Sequence, residues 1–322
     1  MSAIARPAAA LLGLAFSAAL AAPCTAQSVA DFYRGRTVNL YIGFPAGGGY
    51  DIYGRLAARH LSKYIPGNPN VVAQNMIGAG GLKAANYLFS VAPKDGTALG
   101  VIPDTSIAEE LLGTQGVAYV SKEFNWIGRI SASVNIEAIW HTAGVASIDE
   151  IRSREIVVGG SGPTAAATVY PRVLNAFAGT KFKVITGYGG APESCLAMEK
   201  GELQGCLTAW STVKAAKPEW LDNKLATMVE LGKTEEDRQA LSLYASATDI
   251  GKAVLAPPGV PQERVQALRD AFMAMLKDPD LLAEVKQARL DFDPQSGAEL
   301  QAFVTSVSSV PQAVIERARQ AR

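Results

Sequence analysis

The sequence predicts an α/β architecture built on parallel sheets, and three observations carry that reading. Strand-like runs alternate with helical ones for most of the 322 residues, the pattern of strand–helix–strand units. Several of those runs stop at glycines or small residues and restart at once as a helix, as in Leu40 to Asp51. The apolar fraction of 48% is that of a globular chain, and the length suffices for two domains of ordinary size.

Residues 1–26 read as an export leader: a charged start ending at Arg6, an Ala- and Leu-rich run from Ala8 to Ala22, and small residues at Pro23 to Ala26. The run is too short and weakly apolar for a membrane span, and no later segment offers about 18 uninterrupted apolar residues. A soluble, exported chain starting near Gln27 is expected. Lipid attachment at Cys24 is left open, although Pro23 fits that processing poorly. Cleavage would remove Arg6 and leave a formal charge of −1. Nothing in that balance points to nucleic acid or an anionic membrane surface.

The predicted strands run Thr37 to Phe44, Val71 to Asn75, Thr97 to Ile102, Glu155 to Gly159, Phe182 to Thr186, Leu203 to Ala209 and Leu225 to Leu231. Between the first two, Ile52, Leu56, Leu61 and Tyr64 recur at helical spacing until Pro66-Gly67 breaks the element. Ser147 to Glu150 has capping-box spacing and opens a short helix. The last third turns helical, from Pro261 to Leu276, Pro279 to Ala288 and Ala298 onward, after a rigid turn at Pro257 to Pro261. Cys195 falls in a helix and Cys206 in the next strand. A disulfide is allowed in an oxidising compartment, while that placement favours two separate buried thiols.

Four strand-end loops carry the candidate site. In the first, Gly47, Gly48 and Gly49 lack Cβ atoms, so amides can approach a ligand, with Phe44, Ala46 and Tyr50 around them and Asp51 as the helix cap. The second runs from Asn75 through Gly78, Ala79, Gly80 and Gly81 into a helix from Leu82 to Phe89. Glycine loop before helix makes an anion cradle. Phosphate fits neither, since Gly47-x-Gly49-x-x-Ile52 lacks the last glycine of a dinucleotide fingerprint and no Gly-Lys-Ser/Thr is present. The third loop offers Ser161, Gly162 and Thr164 as a grip on the far end of a ligand. The fourth offers Tyr188 and Gly189, with Trp210 as a further wall.

Catalytic candidates are few. Pro163 stands where a nucleophile elbow needs glycine after Ser161, and Cys195 has no base beside it in sequence. His60 and His141 have no metal-ligand spacing, so no metal and no cofactor is expected. Can such loops hold a carboxylate without arginine? A hydrogen bond to a charged group contributes roughly 1.5–3 kcal/mol, so about four donors are of the order that micromolar binding needs.

The motifs, in this order, resemble the periplasmic solute-binding receptors of tripartite tricarboxylate transporters, the Bug-type receptors. The likeness runs from about Phe32 to the end, through Phe44 to Asp51, Asn75 to Gly81, Ala92 to Thr97, Gly187-Tyr188-x-Gly190 with Gly201-Glu202, and Ala256 to Pro261. It implies a two-lobed, type II-like binding-protein fold, each lobe a sheet flanked by helices, with residues 27–128 and 250–322 in one and 129–249 in the other. It also implies that Ala46 to Asp51 and Asn75 to Gly81 hold one carboxylate through backbone amides and water. The expected role is that of a monomeric, non-enzymatic receptor handing a small organic acid to transporter membrane subunits. A hydrolase using Ser161 or Cys195, or a receptor for a signalling partner, are the alternatives. Two departures stand out: bulky Tyr50 where many members have Thr or Ser, and Met76-Ile77 where many have Arg-Pro. Tyr50 either narrows the pocket or stacks on the solute.

Overall fold

The computed structural model describes residues 27–210, 212–213, 217 and 228–321. The leader, Cys24 and residues 225–227 of the expected strand lie outside them. Among the described residues ten strands make two sheets, and no helix is long and apolar enough to cross a membrane.

The first sheet has the order β10-β4-β9-β3-β1-β2. Its members are β1 (Thr37–Ile42), β2 (Asn70–Asn75), β3 (Ala98–Val101), β4 (Asn125–Arg129), β9 (Ala253–Ala256) and β10 (Gln295–Ser296). Val38, Leu40 and Ile42 of β1 are fully buried while their neighbours are not, the period-two pattern of a strand with one packed face. The second sheet, β5-β8-β6-β7, contains β5 (Asn135–Ile139), β6 (Ile156–Gly160), β7 (Phe182–Thr186) and β8 (Gly205–Ala209).

Both sheets are mixed, which corrects the expectation of parallel ones. β1 is parallel to β2 and β3, but β9 runs antiparallel to β3 and β4. In the second sheet β5 is antiparallel to β8. The cause is the chain path. It leaves the first sheet after Arg129, builds the second, and re-enters through β9 from the opposite direction. Antiparallel neighbours need no crossover helix, and β4 runs on into β5 with no helix between them, so this pair lacks the loop–helix signal that marks other strands.

The expected strand from Leu225 to Leu231 is also corrected, since Val229–Leu231 forms a short 3-10 turn. The chain is turning there into the helix Glu235–Ala245, which Thr234 and Asp237 open with a capping box. The helix expected from Ala298 onward divides at Pro311 into Gly297–Val307 and Gln312–Arg319.

One apolar cluster fills the space beneath helices Gly49–Leu61 and Gln262–Met275, with Leu40, Leu56, Leu268 and Phe272 at its centre. Another spans the molecule: Leu88 and Trp126 of the first sheet's side, Leu241 and Tyr244 of helix Glu235–Ala245, and Val169 and Phe177 of helix Ala166–Ala178 on the second sheet. The helix Gln312–Arg319 closes it, where Tyr244 Oη donates to Ala318 O at 3.1 Å and Arg317 pairs with buried Asp237. The two sheets therefore share apolar packing as well as two chain crossings.

Cys195 and Cys206 are joined in a disulfide, with Cα atoms 5.2 Å apart, where separate thiols were expected. Helix Ala191–Glu199 lies against β8, so a residue midway along the helix meets the strand's second residue.

Candidate functional site

The first loop follows β1 and ends in the 13-residue helix Gly49–Leu61, for which Gly48 is the N-cap. Gly47 has φ +85°, a conformation other residues adopt only at a cost. Asp51 was expected to cap this helix. It stands instead in the third helical position and reaches back, Oδ2 accepting from Gly47 N at 3.0 Å and Oδ1 from Arg55 Nε at 2.9 Å. Asn75, at the end of β2, donates from Nδ2 to Asp51 Oδ1 at 2.7 Å and to Phe44 O at 2.8 Å. Burial alone would raise the Asp51 carboxyl, but the bonds from Arg55, Asn75 and Gly47 outweigh it and hold it below its ordinary value. Asp51 and Asn75 thus frame the loop. The first-turn amides of Gly49 and Tyr50 have no intrahelical acceptor, as at any helix start.

A cavity of about 370 Å³ opens beside that helix start, between the two sheets. Phe44, Gly47, Gly48, Gly49, Tyr50 and Ser161 line it, as the sequence suggested. From the second sheet's side come Ala165 to Ala167, Pro192, Cys195, Leu196 and Leu207 to Ala209, none of them singled out in advance as ligand contacts. Cys195 is held in the disulfide, so it presents no free thiol.

Other expected residues lie elsewhere. Ala79 and Gly80 face the second lobe directly: Thr164 Oγ1 donates to Ala79 O at 3.0 Å, and Thr105 Oγ1 donates to Thr164 O at 2.6 Å. A Cβ added to Gly162 would stand 2.3 Å from Gly80 N. These two loops clamp each other, which keeps Gly78, Ala79, Gly80, Gly81, Gly162 and Thr164 out of the cavity lining. Tyr188 packs near the disulfide, its amide bonded to Gly160 O at 3.3 Å. Gly189 N donates to Glu193 Oε2 at 2.6 Å. Trp210, just past β8, donates its amide to Val134 O at 2.8 Å and does not line the cavity; nor does Ala46. On the other rim, a Cβ on Gly190 would meet Pro45 at 3.1 Å and one on Gly48 would meet Pro192 at 3.7 Å.

Tyr50 has no free ring face. It stacks on Phe44 with centroids 4.4 Å apart and planes 10° from parallel, and Lys252 Nζ lies 3.8 Å from its centroid. Its hydroxyl accepts from Asp104 N at 3.0 Å. The side chain narrows the cavity; a solute cannot stack on it.

Lys252 is the residue that sequence reasoning missed. It lines the cavity, is only 4% exposed, and its Nζ also bonds Ser133 Oγ. A Cβ placed on Gly49 would lie 3.5 Å from Lys252 Cε, so the side chain runs along the helix start. Burial lowers the ammonium's pKa, against a smaller opposing pull from Asp104. Among the described residues no carboxylate comes within 4 Å of Nζ. Asp104 is itself buried, its Oδ2 accepting from Asn135 Nδ2 at 3.3 Å and its Oδ1 unpartnered. The sequence signal was slight: a single lysine after Gly251, directly before the apolar Ala253–Ala256. Among the described residues no group of three or more His, Cys, Asp or Glu is placed to hold a metal ion.

No family model matches the chain. A Cupriavidus necator protein described as "UPF0065 protein in gbd 5'region" is 26% identical over 314 residues, covering 91% of this chain and 90% of the relative. The structure of the periplasmic binding protein BugD superposes with a TM-score of 0.68 at 19% identity, covering 88% of this chain and 96% of BugD. MatC from Rhodopseudomonas palustris, solved with bound malate, gives a TM-score of 0.68 at 17% identity over 89% of this chain and 99% of its own. The resemblance read from the loops is thus borne out in the fold, and the chain has the two-lobed architecture of the Bug-type periplasmic binding proteins.

Proposed function

We propose that the chain is a periplasmic receptor that captures a small organic acid between two lobes, residues 27–128 with 250–322 and residues 129–249, and hands it to the membrane subunits of a tripartite tricarboxylate-type transporter. One observation carries this reading. The cavity lies where the first glycine loop's helix start meets the second lobe, and a buried lysine lines the same spot. A helix N-terminus and an ammonium both favour a negative group. The malate in MatC, a protein of the same fold, supports a carboxylate as that group. Contacts from both lobes to one solute would favour the closed arrangement. The alternative of a thiol hydrolase loses its nucleophile to the Cys195–Cys206 disulfide.

A thermal-shift screen of mono-, di- and tricarboxylates tests the reading. A true ligand at 100 times its dissociation constant adds about 2.7 kcal/mol of stability, which is plainly visible as a rise in Tm. A flat response to every acid in the screen would remove the receptor reading.

A further inference from the structure

We propose that the acid taken by this cavity is a monoanion with an apolar body, an aromatic or branched aliphatic monocarboxylic acid, whose carboxylate sits between the Lys252 ammonium and the first-turn amides of Gly49 and Tyr50. The inference rests on the receptor reading and adds the ligand's charge and character to it.

Charge is the first ground. Two cations line the cavity among the described residues. Lys217 is paired with Glu199, whereas Lys252 has no carboxylate within 4 Å. A lysine only 4% exposed needs compensation for its charge, and a buried ion without a counter-ion is strongly unfavourable. Ser133 Oγ and the Tyr50 face engage Nζ, and a lysine has three donors. The positive end of helix Gly49–Leu61 lies alongside, with Lys252 Cε in ordinary contact distance of a Cβ built on Gly49. Two positive potentials converge on one point, and one carboxylate answers both. A second carboxylate would find no second unpaired cation in the cavity lining among the described residues.

The remaining lining supplies the second ground. Phe44, Ala166, Pro192, Leu196, Leu207 and Val213 present hydrocarbon to the cavity, and this apolar surface outweighs that of the polar Asn135, Ser161, Thr208 and Thr212 beside it. A ligand's apolar body gains by covering such surface at about 25 cal/mol per Å², while a polar or charged far end would lose hydration there.

Calorimetric titration of the full chain with benzoate, phenylacetate, 3-methylbutanoate, succinate and malate tests the assignment, alongside the Lys252→Met variant. At least one of the three monocarboxylates is expected to bind no less than tenfold more tightly than either dicarboxylate. Lys252→Met is expected to weaken that binding roughly 10- to 150-fold, the worth of one charge-assisted hydrogen bond. The same variant should raise the Tm of the unliganded protein, because it replaces an unpaired buried ion with a side chain of similar length. Dicarboxylates binding as tightly as the monocarboxylates, or unchanged affinity in folded Lys252→Met, would overturn the ligand assignment and leave the receptor reading in place. Failure of all five acids, together with a flat response across the wider screen, would overturn both. The wild-type ranking decides the matter even if the variant does not fold.

Discussion

The loops at Gly47–Gly49 and Gly78–Gly81 look alike in sequence, each a glycine run between strand and helix, yet they do different work. The first leaves a helix start open to a cavity, and its shape is held from behind by a polar network, Asp51 with Arg55 and the Asn75 amide. The second is occupied from the front: Ala79 and Gly80 meet Gly162, Thr164 and Ala165 of the opposite lobe, and Gly81 is covered by Pro103. Glycine serves access in one loop and close packing in the other. The surroundings decide which, and for Ala79 and Gly80 those surroundings are atoms more than 80 residues away in sequence.

Substitutions can break or sharpen that contrast. The largest effect is expected for Gly81→Ala. Its φ of +97° and a Cβ 2.4 Å from Pro103 Cγ combine left-handed strain with overpacking, together about 3 kcal/mol by denaturant unfolding. Thr164→Val comes next. It removes the hydroxyl that spans the lobes to Ala79 O, and about 1–2 kcal/mol should be lost. Gly47→Ala should cost about 1 kcal/mol, since φ is +85° but nothing stands within 4 Å of the added methyl. If Gly47→Ala proved the more damaging of the two alanine variants, the contrast would be reversed.

The slightest effect appears only in acid. Asp51 has a folded-state carboxyl held below its ordinary value, so its contribution is complete above about pH 4 and is lost as the pH falls through the lower folded value. Asp51→Asn should flatten that part of the acid-unfolding curve. Thr164→Val, which touches no ionised group, should leave the curve's shape alone.

Much of this was legible in the sequence. Runs such as Thr37–Ile42, Phe182–Thr186 and Gly205–Ala209 show themselves because apolar alternation stops at a recognisable turn. β4 does not, because it runs on into β5 with no helix between them and Trp126-Ile127-Gly128 carries no turn signal; nor does β9, whose four residues Ala253–Ala256 are all buried and do not alternate. For the site, the first loop could be read because glycine-then-helix is a local pattern. The second was misjudged because the same pattern says nothing of what faces it. Lys252 and the wall around Leu207 were missed because their proximity to Gly49 is tertiary: Lys252 arrives with the return crossing into the first sheet, and Leu207 to Ala209 with β8 of the second.

The Cys195–Cys206 bridge gives the protein a dependence on where it is made. Cys195 belongs to the cavity's far wall and Cys206 is buried behind it, and the bond closes a chain segment of sequence separation 11, an entropic contribution of about 3 kcal/mol on the loop-closure model. Material produced in a reducing cytosol and material recovered from an oxidising compartment are therefore two different reagents. A dithiothreitol titration followed by melting temperature and ligand affinity would distinguish them, and the reduced preparation should suffer most in the part of the molecule that meets the solute.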